Sequence, residues 1–400
     1  MRTSNPLQFH RGLDGILSLQ GKVQQYQLQV ATGKRLMSAA DDPVAAAQTL
    51  NISERLSAIE QFTRNANLVD LRLSDQETAM SNSSTLLQRT RELILRGKSA
   101  TMTADDRRFL AAEIRQRFDE LVQLANTRNA SGEYIFAGTA VDTVPFTVDA
   151  SGAVVFNGND NVRRLSISEG RTLAEGFSGA EAFMGVRNGN GTFVTDLAST
   201  NAGTGRLIND TLLDAAAYLP HDFRIQFTAA DTFDVIDDTT GTTVLSAQTY
   251  APDAAITFNG LSVAVTGAPA AGDSFSVTPS DNQSLFATLR NAIDAMERDA
   301  TSPALAAQQT FDFDRVLADI DQGLNRLVAL RAAVGARQNT IESQVSTNED
   351  LTMQLKTVKS HLEDADPVEA LSELARQAQA LEAAQQAFVK VQSLSLFNFL

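Results

Sequence analysis

The sequence predicts an α+β multidomain protein, with long antiparallel helical rods and terminal coiled-coil helices formed from both chain ends and a central β-rich insert domain. Three observations lead to this. Pro is absent between residues 43 and 145 and again between 303 and 367, while sixteen of the 23 Gly lie within residues 132–272. Apolar residues recur every three or four positions near both ends and every second position in the middle. Long helices therefore flank a turn-rich segment.

These patterns divide the chain into three predicted domains. Terminal coiled-coil helices from residues 1–42 and 366–400 form an inner axial domain. A helical rod domain combines residues 43–140 with 281–365, and a β-rich surface insert spans residues 141–280. Four hundred residues with 43% hydrophobic content are enough for two or three domains of ordinary size.

The first helix is predicted from a narrow apolar seam. Its members recur at heptad-like spacing, and they are Phe9, Ile16, Leu19, Val23, Tyr26 and Val30. A stripe of two positions in seven is typical of a helix that packs against one partner helix. Gly33 follows where a helix C-cap commonly lies, so we expect the helix to end there.

A bend into the second helix is predicted at Gly33, Asp41, Asp42 and Pro43. Asp42 is placed as an N-cap, because its side chain can accept hydrogen bonds from first-turn amides and Pro43 suits the first helical position. Helical spacing then continues towards Arg96. The bend is therefore a predicted hinge between the inner axial domain and the helical rod domain.

Three further helix starts carry the same kind of signal. Thr103 and Asp106 have the spacing of a capping box, which predicts a third helix and an antiparallel hairpin. Ser302-Pro303 and Asp366-Pro367 each place an N-cap residue before a Pro. The last helix carries an apolar stripe made of Leu371, Leu374, Ala378, Leu381, Ala384, Phe388 and Val391.

The central segment is predicted to be β-structure. Phe223, Ile225 and Phe227 alternate with polar residues, and Asn259-Gly260 lies between two apolar runs as a type I′ hairpin turn would. Residues 138–280 hold 16 Asp and Glu against six Arg and no Lys, a net charge of −10. An acidic β domain that faces solvent is the simplest interpretation.

Charge and composition exclude several classes of function. A formal net charge of −15 argues against nucleic acid and anionic membranes, because such binding depends on Lys and Arg. The sequence has no Cys and therefore no disulfide or thiolate site. Residues 1–10 lack the apolar region of a signal peptide, and no apolar run is long enough to span a bilayer. We expect no nucleic-acid partner and no membrane insertion.

No catalytic, cofactor or metal site is predicted. His10, His221 and His361 lie far apart and have no neighbours at metal-ligand spacing. The sequence has no GxSxG nucleophile elbow, no GxGxxG loop after a predicted strand and no Walker-type GxxxxGK[ST] motif. The acidic residues within 231–238 lack the ligand alternation and terminal Glu of an EF-hand. The sequence therefore indicates a protein that is not an enzyme.

Apolar stripes at both chain ends predict an assembly interface instead. Such stripes are commonly ordinary core, but here they lie at the termini, where most chains fray. The residues assigned to this interface are Ile16, Leu19, Val23, Tyr26, Val30, Leu374, Leu381, Phe388, Val391, Leu396, Phe397, Phe399 and Leu400. We expect the two terminal helices to pair with each other or with neighbouring subunits.

Four stretches carry a resemblance to a known family. Residues 30–50, VATGKRLMSAADDPVAAAQTL, and 124–139, LANTRNASGEYIFAGT, resemble the N-terminal helical blocks of the flagellin superfamily. The C-terminal stretch that begins VGARQNTIESQ and the ending VQSLSLFNFL resemble the hook-associated protein type 3 branch of that superfamily. The resemblance covers both helical arms and extends more loosely into the insert.

The resemblance implies a structural subunit of the flagellar axis. It implies export by the flagellar type III system to the cell exterior, without a cleaved signal peptide, and a position between hook-associated protein type 1 and the flagellin filament. Its implied partners are these two proteins, copies of itself and an export chaperone, with no cofactor. It also implies a rod turn, formed by Asn126, Arg128, Gly132, Tyr134 and Phe136, which either touches a neighbouring subunit or is an ordinary intramolecular turn.

Two other interpretations stay open from the sequence alone. The chain could be filament flagellin itself, which shares the helical arms and differs mainly in its C-terminal ending. Alternatively, the acidic β insert could be a surface ligand-binding module that the helices only anchor. Growth of long filaments by the purified protein would favour the first, and loss of ligand binding without loss of motility on deleting the insert would favour the second.

Overall fold

The computed structural model describes residues 5–397, with side chains described for Leu7 and residues 9–391. Contacts divide the chain into two compact units, one formed by residues up to Arg64 and from Ser343 onward, the other by Asn65–Glu342. The predicted three-domain division stays a prediction. The α-helices of the described residues are α1 (Asn5–Thr32), α2 (Pro43–Gly97), α3 (Ala104–Ala125), α4 (Leu285–Glu297), α5 (Pro303–Glu363) and α6 (Pro367–Phe397).

The helices begin at side chains that cap their first turns. The Asp42 carboxylate accepts a hydrogen bond from the Ala45 N–H at 3.0 Å, as an N-cap does. Thr103 and Asp106 form a reciprocal capping box at the start of α3. Local chemistry thus sets these two boundaries where the sequence places them.

The helices α5 and α6 start in the same way. The Ser302 hydroxyl accepts a hydrogen bond from the Leu305 N–H at 3.2 Å. The Asp366 carboxylate accepts one from the Val368 N–H at 2.8 Å. In both cases the next residue is a Pro, which needs no N–H partner.

Replacing Asp42 by Ala should lower the free energy of unfolding of the unit that contains the terminal helices by about 1 kcal/mol. The cause is the loss of an acceptor for a first-turn N–H, which an Ala side chain cannot replace. Hydrogen exchange of the amides at residues 44–46 is the measurement. Asp42→Asn keeps the acceptor and serves as the control, so equal exchange in both variants would contradict the capping role.

The second unit contains a helical bundle built from parts of α2 and α5 together with α3 and α4. Arg89 of α2 contacts Glu113 of α3 at 3.1 Å, which confirms the predicted antiparallel hairpin. Arg331 of α5 lies 2.7 Å from Glu77 of α2. At Gly97 any side chain would collide with Met296 of α4, because a Cβ there would lie 2.4 Å from the Met side chain. The bundle is therefore closely packed at the end of α2.

A cluster of Phe side chains holds the first part of the predicted insert against the bundle. Phe183 lies on a π-helical turn and meets Phe136 and Phe146 at centroid distances of 4.9 and 5.6 Å. Phe146 also packs against Phe286 of α4 at 5.2 Å. Phe136, assigned to the rod turn from the sequence, is fully buried here. Two small hairpins flank this cluster, formed by β1 (Phe146–Val148), β2 (Val154–Phe156), β3 (Arg164–Ser168) and β4 (Arg171–Ala174).

A second hydrophobic core lies between two antiparallel sheets. One sheet has the order β10-β9-β8-β13-β6, and the other has the order β11-β12-β7. Buried side chains alternate with less buried ones along β8, β9 and β13, and Phe311 of α5 belongs to the same core. The strands are β6 (Phe193–Leu197), β7 (Arg206–Leu212), β8 (Phe223–Ala229), β9 (Thr232–Asp237), β10 (Thr242–Thr249), β11 (Ala255–Phe258), β12 (Leu261–Thr266) and β13 (Ser274–Pro279).

The predicted period-two pattern and hairpin turn are confirmed in this sandwich. Phe223, Ile225 and Phe227 all point into the core. Asn259 and Gly260 connect β11 to β12 with φ angles of +43° and +76°, as a type I′ turn requires. A short pairing of β5 (Val186–Arg187) with β14 (Asn282–Gln283) closes the base of the sandwich.

Candidate assembly surface

The terminal helices α1 and α6 pack against each other in antiparallel orientation. Phe9 near the start of α1 meets Phe388 near the end of α6, with ring centroids 5.3 Å apart. Gly12 makes this approach close, because a Cβ there would lie 2.8 Å from the Phe388 ring. At the opposite end, the Ala365 N–H donates to the Gly33 carbonyl at 2.9 Å. The two chain ends therefore form one two-helix coil.

The buried seam of this coil follows the spacing expected from the sequence. On α1 the half-buried apolar side chains are Ile16, Leu19, Val23 and Tyr26, and on α6 they are Leu374, Leu381, Ala384 and Phe388. Val30 and Val391 were assigned to the same stripe but are 38% and 59% exposed. Leu396, Phe397, Phe399 and Leu400 lie outside the residues whose side chains are described.

At the end of the seam, the buried position is occupied by Gln29 and not by Val30. The Gln29 side chain is 8% exposed and donates from Nε2 to the Arg35 carbonyl at 3.2 Å. A straight α-helix drifts by about 20° per heptad, so a strict seven-residue spacing misplaces the last member. The polar side chain at this position ties the end of α1 to the linker that follows.

A second apolar face of the coil has no partner among the described residues. On α1 it consists of Leu13, Leu17 and Leu28, spaced by four and eleven residues, which are one and three helical turns. On α6, Leu371 and Val389 lie on a face about a quarter turn from the seam. Leu17 is 55% exposed and Val389 is 64% exposed. Repeated large apolar side chains on one exposed face indicate a contact surface.

These second-face residues were missed in the sequence, although a signal was present. The heptad seam accounts for only one side of α1, and the Leu residues at spacing of four and eleven mark another side of the same helix. A helix that is apolar on two sides can pack against two partners. The coil supplies only one of them.

The linkers between the helices form a two-stranded joint. Gly33 ends α1 with φ of +69°, a conformation that suits Gly, and its N–H donates to the Gln29 carbonyl at 2.8 Å. The Arg35 N–H donates to the Glu363 carbonyl at 2.6 Å, and Lys34 pairs with Asp364 as an isolated antiparallel bridge. The hinge assigned to Gly33, Asp41, Asp42 and Pro43 stays a prediction, but its residues lie in this joint.

Asp41 holds residues 37–41 of the linker in a turn. Its carboxylate accepts hydrogen bonds from the Met37 and Ser38 N–H groups at 3.1 and 2.8 Å. The bond from Ser38 lowers the pKa of Asp41. This turn positions the Asp42 cap directly before Pro43.

An ion pair reinforces the joint. The Lys34 ammonium lies 2.6 Å from the Asp364 carboxylate and 3.1 Å from that of Glu363. The hydrogen bond from Lys34 lowers the pKa of Asp364 and raises the pKa of Lys34 itself. Both shifts favour the charged pair in the folded protein.

The stabilising effect of this pair should be confined to a pH window. A lowered Asp pKa stabilises the fold above the unfolded value of about 3.9 and ceases to do so as the pH falls through the folded pKa. A raised Lys pKa stabilises the fold below about 10.4 and ceases to do so as the pH rises through the folded value. We expect Lys34→Gln to raise the carboxyl titration midpoint of Asp364, measured by NMR. Lys34→Arg should keep it low, and an unchanged midpoint in Lys34→Gln would contradict the pairing.

The residues assigned to the rod turn make hydrogen bonds and ring contacts within the chain. Asn126 ends α3, and its side chain exchanges two hydrogen bonds with the Phe146 backbone at 2.8 and 2.9 Å. Arg128 stacks over the Tyr134 ring at 4.3 Å and donates to its hydroxyl at 2.7 Å. Gly132 turns the chain with φ of +83°. A contact of this turn with a neighbouring subunit stays a prediction.

A charged network behind the turn was not found from the sequence. Arg72 of α2 binds Glu133 at 2.8 Å and also contacts Glu175. Arg163 lies 3.2 Å from the same Glu175 carboxylate. Gln76, one turn along α2, donates to the Ile135 carbonyl at 2.6 Å. The network fixes the turn and the following hairpins to the bundle.

No group of three His, Cys, Asp or Glu within the described residues is arranged to hold a metal ion. His221 contacts Asp237 at 2.8 Å, and Asp237 in turn accepts from the Thr239 N–H, so this pair fixes a strand end. Among the helices that are described, none is long and apolar enough to cross a membrane.

Comparison with protein families matches both helical arms. The bacterial flagellin N-terminal helical region matches residues 12–141. The bacterial flagellin C-terminal helical region matches residues 317–400. The matched stretches contain α3, α6 and the two-stranded joint.

Individual proteins are similar over most of the chain. Flagellar hook-associated protein 3 of Escherichia coli K12 is 25% identical over 399 residues, which cover 100% of this chain and 99% of that protein. A crystal structure of FlgL from Xanthomonas campestris is 32% identical, with a TM-score of 0.72 and coverage of 77% of this chain and 99% of the other. The hook-associated protein 3 structure from Legionella pneumophila is 28% identical, with a TM-score of 0.74 and coverage of 78% and 98%.

Proposed function

The chain belongs to the flagellar hook-associated protein 3 family of the flagellin superfamily, and from this we propose that it joins the hook-associated proteins to the flagellin filament. A structural role in the bacterial flagellum follows from family membership. The finer assignment is a mechanical adaptor, placed between hook-associated protein type 1 on one side and flagellin on the other.

The observation that supports this proposal most directly is the two-sided terminal coil. One side of α1 is covered by α6, and the other side exposes Leu13, Leu17 and Leu28. Burying a Leu side chain contributes about 1.5–3 kcal/mol, so three such side chains on one face are a substantial driving force for association. The partners of this face are proposed to be the terminal helices of adjacent subunits in the flagellar axis, including copies of this chain.

Exposure of such a face before assembly has a cost. Large apolar patches promote non-specific association, and an export chaperone that covers the terminal helices would prevent it. We propose such a chaperone as a transient partner, with export through the flagellar type III system to the cell exterior. The proposed interface also includes the seam residues and Leu396, Phe397, Phe399 and Leu400.

Immunogold electron microscopy on intact flagella tests the proposed position. An antibody against the β-sandwich, residues 193–279, should label one short zone where hook and filament meet. Label along the whole filament would make the chain a flagellin and overturn the adaptor assignment. Absence of flagellar label, in cells that express the protein, would overturn the structural role itself.

Self-assembly of the purified protein separates the two flagellar alternatives a second time. An adaptor should stay in small species as its concentration rises, because it is proposed to form a short zone and not a long polymer. Filament flagellin should form long polymers that sediment. Analytical ultracentrifugation of the full chain, with a known flagellin as the control, is the measurement.

A further inference from the structure

A cavity of about 490 Å³ lies where the β-sandwich meets α5. Its volume is within the range of about 300–1,000 Å³ that is common for small-molecule sites. Its walls are β6 and β7, and its floor includes Phe311 and Ala318 of α5. Each of these strands is an edge strand of its own sheet, so no ladder hydrogen bonds join the two strands.

The strand β7 is distorted where it lines this cavity. Ile208 pairs with Ala264 and Thr211 pairs with Ser262, so Asn209 and Asp210 both lie opposite the single residue between those partners. This is a β-bulge, and Asn209 adopts a left-handed φ of +56° within it. Bulges change the direction of side chains and are common beside functional sites. The distortion places two successive polar residues at the wall of the cavity.

Hydrogen-bond donors and acceptors both line the cavity. The Asp210 carboxylate accepts a hydrogen bond from the Thr195 hydroxyl at 2.7 Å, and the Asn190 amide donates to the Asp210 carbonyl at 3.2 Å. The Asn209 side chain is exposed at the rim. Val194 and Ile208 supply apolar surface between these groups. Such a mixture of a few oriented polar groups on an apolar wall is typical of binding sites.

Most charged side chains of the cavity wall are already in ion pairs, and the Asp210 carboxylate is held by the Thr195 hydroxyl. Asp314 of α5 contacts Lys98 and lies 3.4 Å from Arg206. Arg315 lies 3.0 Å from Asp196. An anionic ligand would be repelled by the Asp carboxylates, and a cationic ligand would be repelled by Lys98 and the Arg guanidinium groups. A hydroxyl group can both donate to a carboxylate and accept from an ammonium or an amide, so it suits this wall without breaking its ion pairs.

We propose that this cavity binds a neutral, hydroxyl-rich small molecule, of the size of a mono- or disaccharide. Asp210 and Asp314 accept hydrogen bonds from ligand hydroxyls, while Asn190, Asn209 and Thr195 orient them. The apolar floor contacts the carbon face of the ring. This activity is independent of assembly through the terminal helices, because all of its residues lie within Asn65–Glu342.

Saturation-transfer NMR with the full chain tests the proposal. The probes are a panel of free hexoses, N-acetylhexosamines and their disaccharides, with free amino acids as a second panel. At least one sugar should receive saturation, and its affinity should fall at least tenfold in Ala318→Phe, which fills the cavity without removing a polar group. Asn209→Gly should weaken binding by a similar factor while keeping the left-handed backbone, which Gly adopts freely.

The control variant is Asn259→Gly. Asn259 also has a left-handed φ, of +43°, but it lies in the turn between β11 and β12 and does not line the cavity. Its replacement should leave sugar binding unchanged. The proposal is overturned if no sugar receives saturation, if only amino acids do, or if Ala318→Phe and Asn209→Gly both bind as well as the control.

Discussion

Leu17→Asp is expected to abolish incorporation of the chain into the flagellar axis while the free protein keeps its helical content. Leu17 belongs to the second apolar face of α1 and is 55% exposed, so an Asp there is solvated in the free protein. In an assembled axis the same Asp would be buried without a partner, and the transfer free energy of the Leu, about 1.5–3 kcal/mol, would also be lost. Fractionation of purified flagella, followed by immunoblotting, measures incorporation, and far-UV circular dichroism measures folding.

Ser18→Asp provides the matched control for this experiment. Ser18 is the next residue, is exposed, and lies away from both apolar faces of α1. It introduces the same charge at the same depth along the helix and should be incorporated normally. If Leu17→Asp is also incorporated normally, the second face is not an assembly surface.

Leu381→Asp distinguishes the two faces of the coil. Leu381 is half-buried in the seam between α1 and α6, so an Asp there also weakens the coil within one subunit. Loss of incorporation should then accompany loss of helical content. A folded Leu381→Asp protein that fails to assemble would mean that the seam itself also contacts neighbouring subunits.

Phe183→Ala should lower the free energy of unfolding of the second unit by about 3–5 kcal/mol. Phe183 is fully buried and packs edge-on against both Phe136 and Phe146, so its removal leaves a cavity as well as losing transfer free energy. Hydrogen exchange of amides within residues 285–297 of α4 should accelerate by more than about a hundredfold, at 1.4 kcal/mol per factor of ten.

Phe109→Ala is the control for the Phe183 prediction. Phe109 lies on α3 in the same unit but is 75% exposed. Its replacement should change the free energy of unfolding by no more than about 0.5 kcal/mol. Equal exchange rates in the two variants would mean that the Phe cluster does not hold α4 to the hairpins.

Helix boundaries could be predicted from the sequence because capping is local. Asp42, Thr103, Ser302 and Asp366 each act on amides within the next three residues or so, and all four lie at helix starts. The alternation in β8 and the Asn259-Gly260 turn are local for the same reason. No knowledge of the rest of the fold is needed to identify them.

Contacts between distant residues could not be predicted in this way. Arg72 contacts Glu133 and Glu175, which lie 61 and 103 residues further along the chain. No sequence spacing predicts these ion pairs. Phe146 and Phe183 fall within the segment predicted as the β insert, yet both pack on Phe286 of α4. The segment predicted as one β insert therefore contains two hydrophobic cores, and only the sandwich core consists mainly of residues from the insert.

The packing of α1 against α6 was predicted in part. The seam residues Ile16, Leu19 and Leu381 lie between α1 and α6, where the spacing places them. The second face was overlooked because a heptad pattern describes one partner only. Whether either set contacts other subunits stays a prediction, since the sequence and the fold of one chain specify the face and not its occupant.

The two-stranded joint determines how a force applied to α1 and α6 would reach the helices that follow. The backbone of residues 33–36 is hydrogen-bonded to that of residues 363–365, and Lys34 adds ionic contacts to Glu363 and Asp364. A pulling force on the coil is therefore carried by two covalent chains in parallel, which cannot stretch independently. Torsion about the joint must twist both chains together, so its stiffness exceeds that of a single flexible linker.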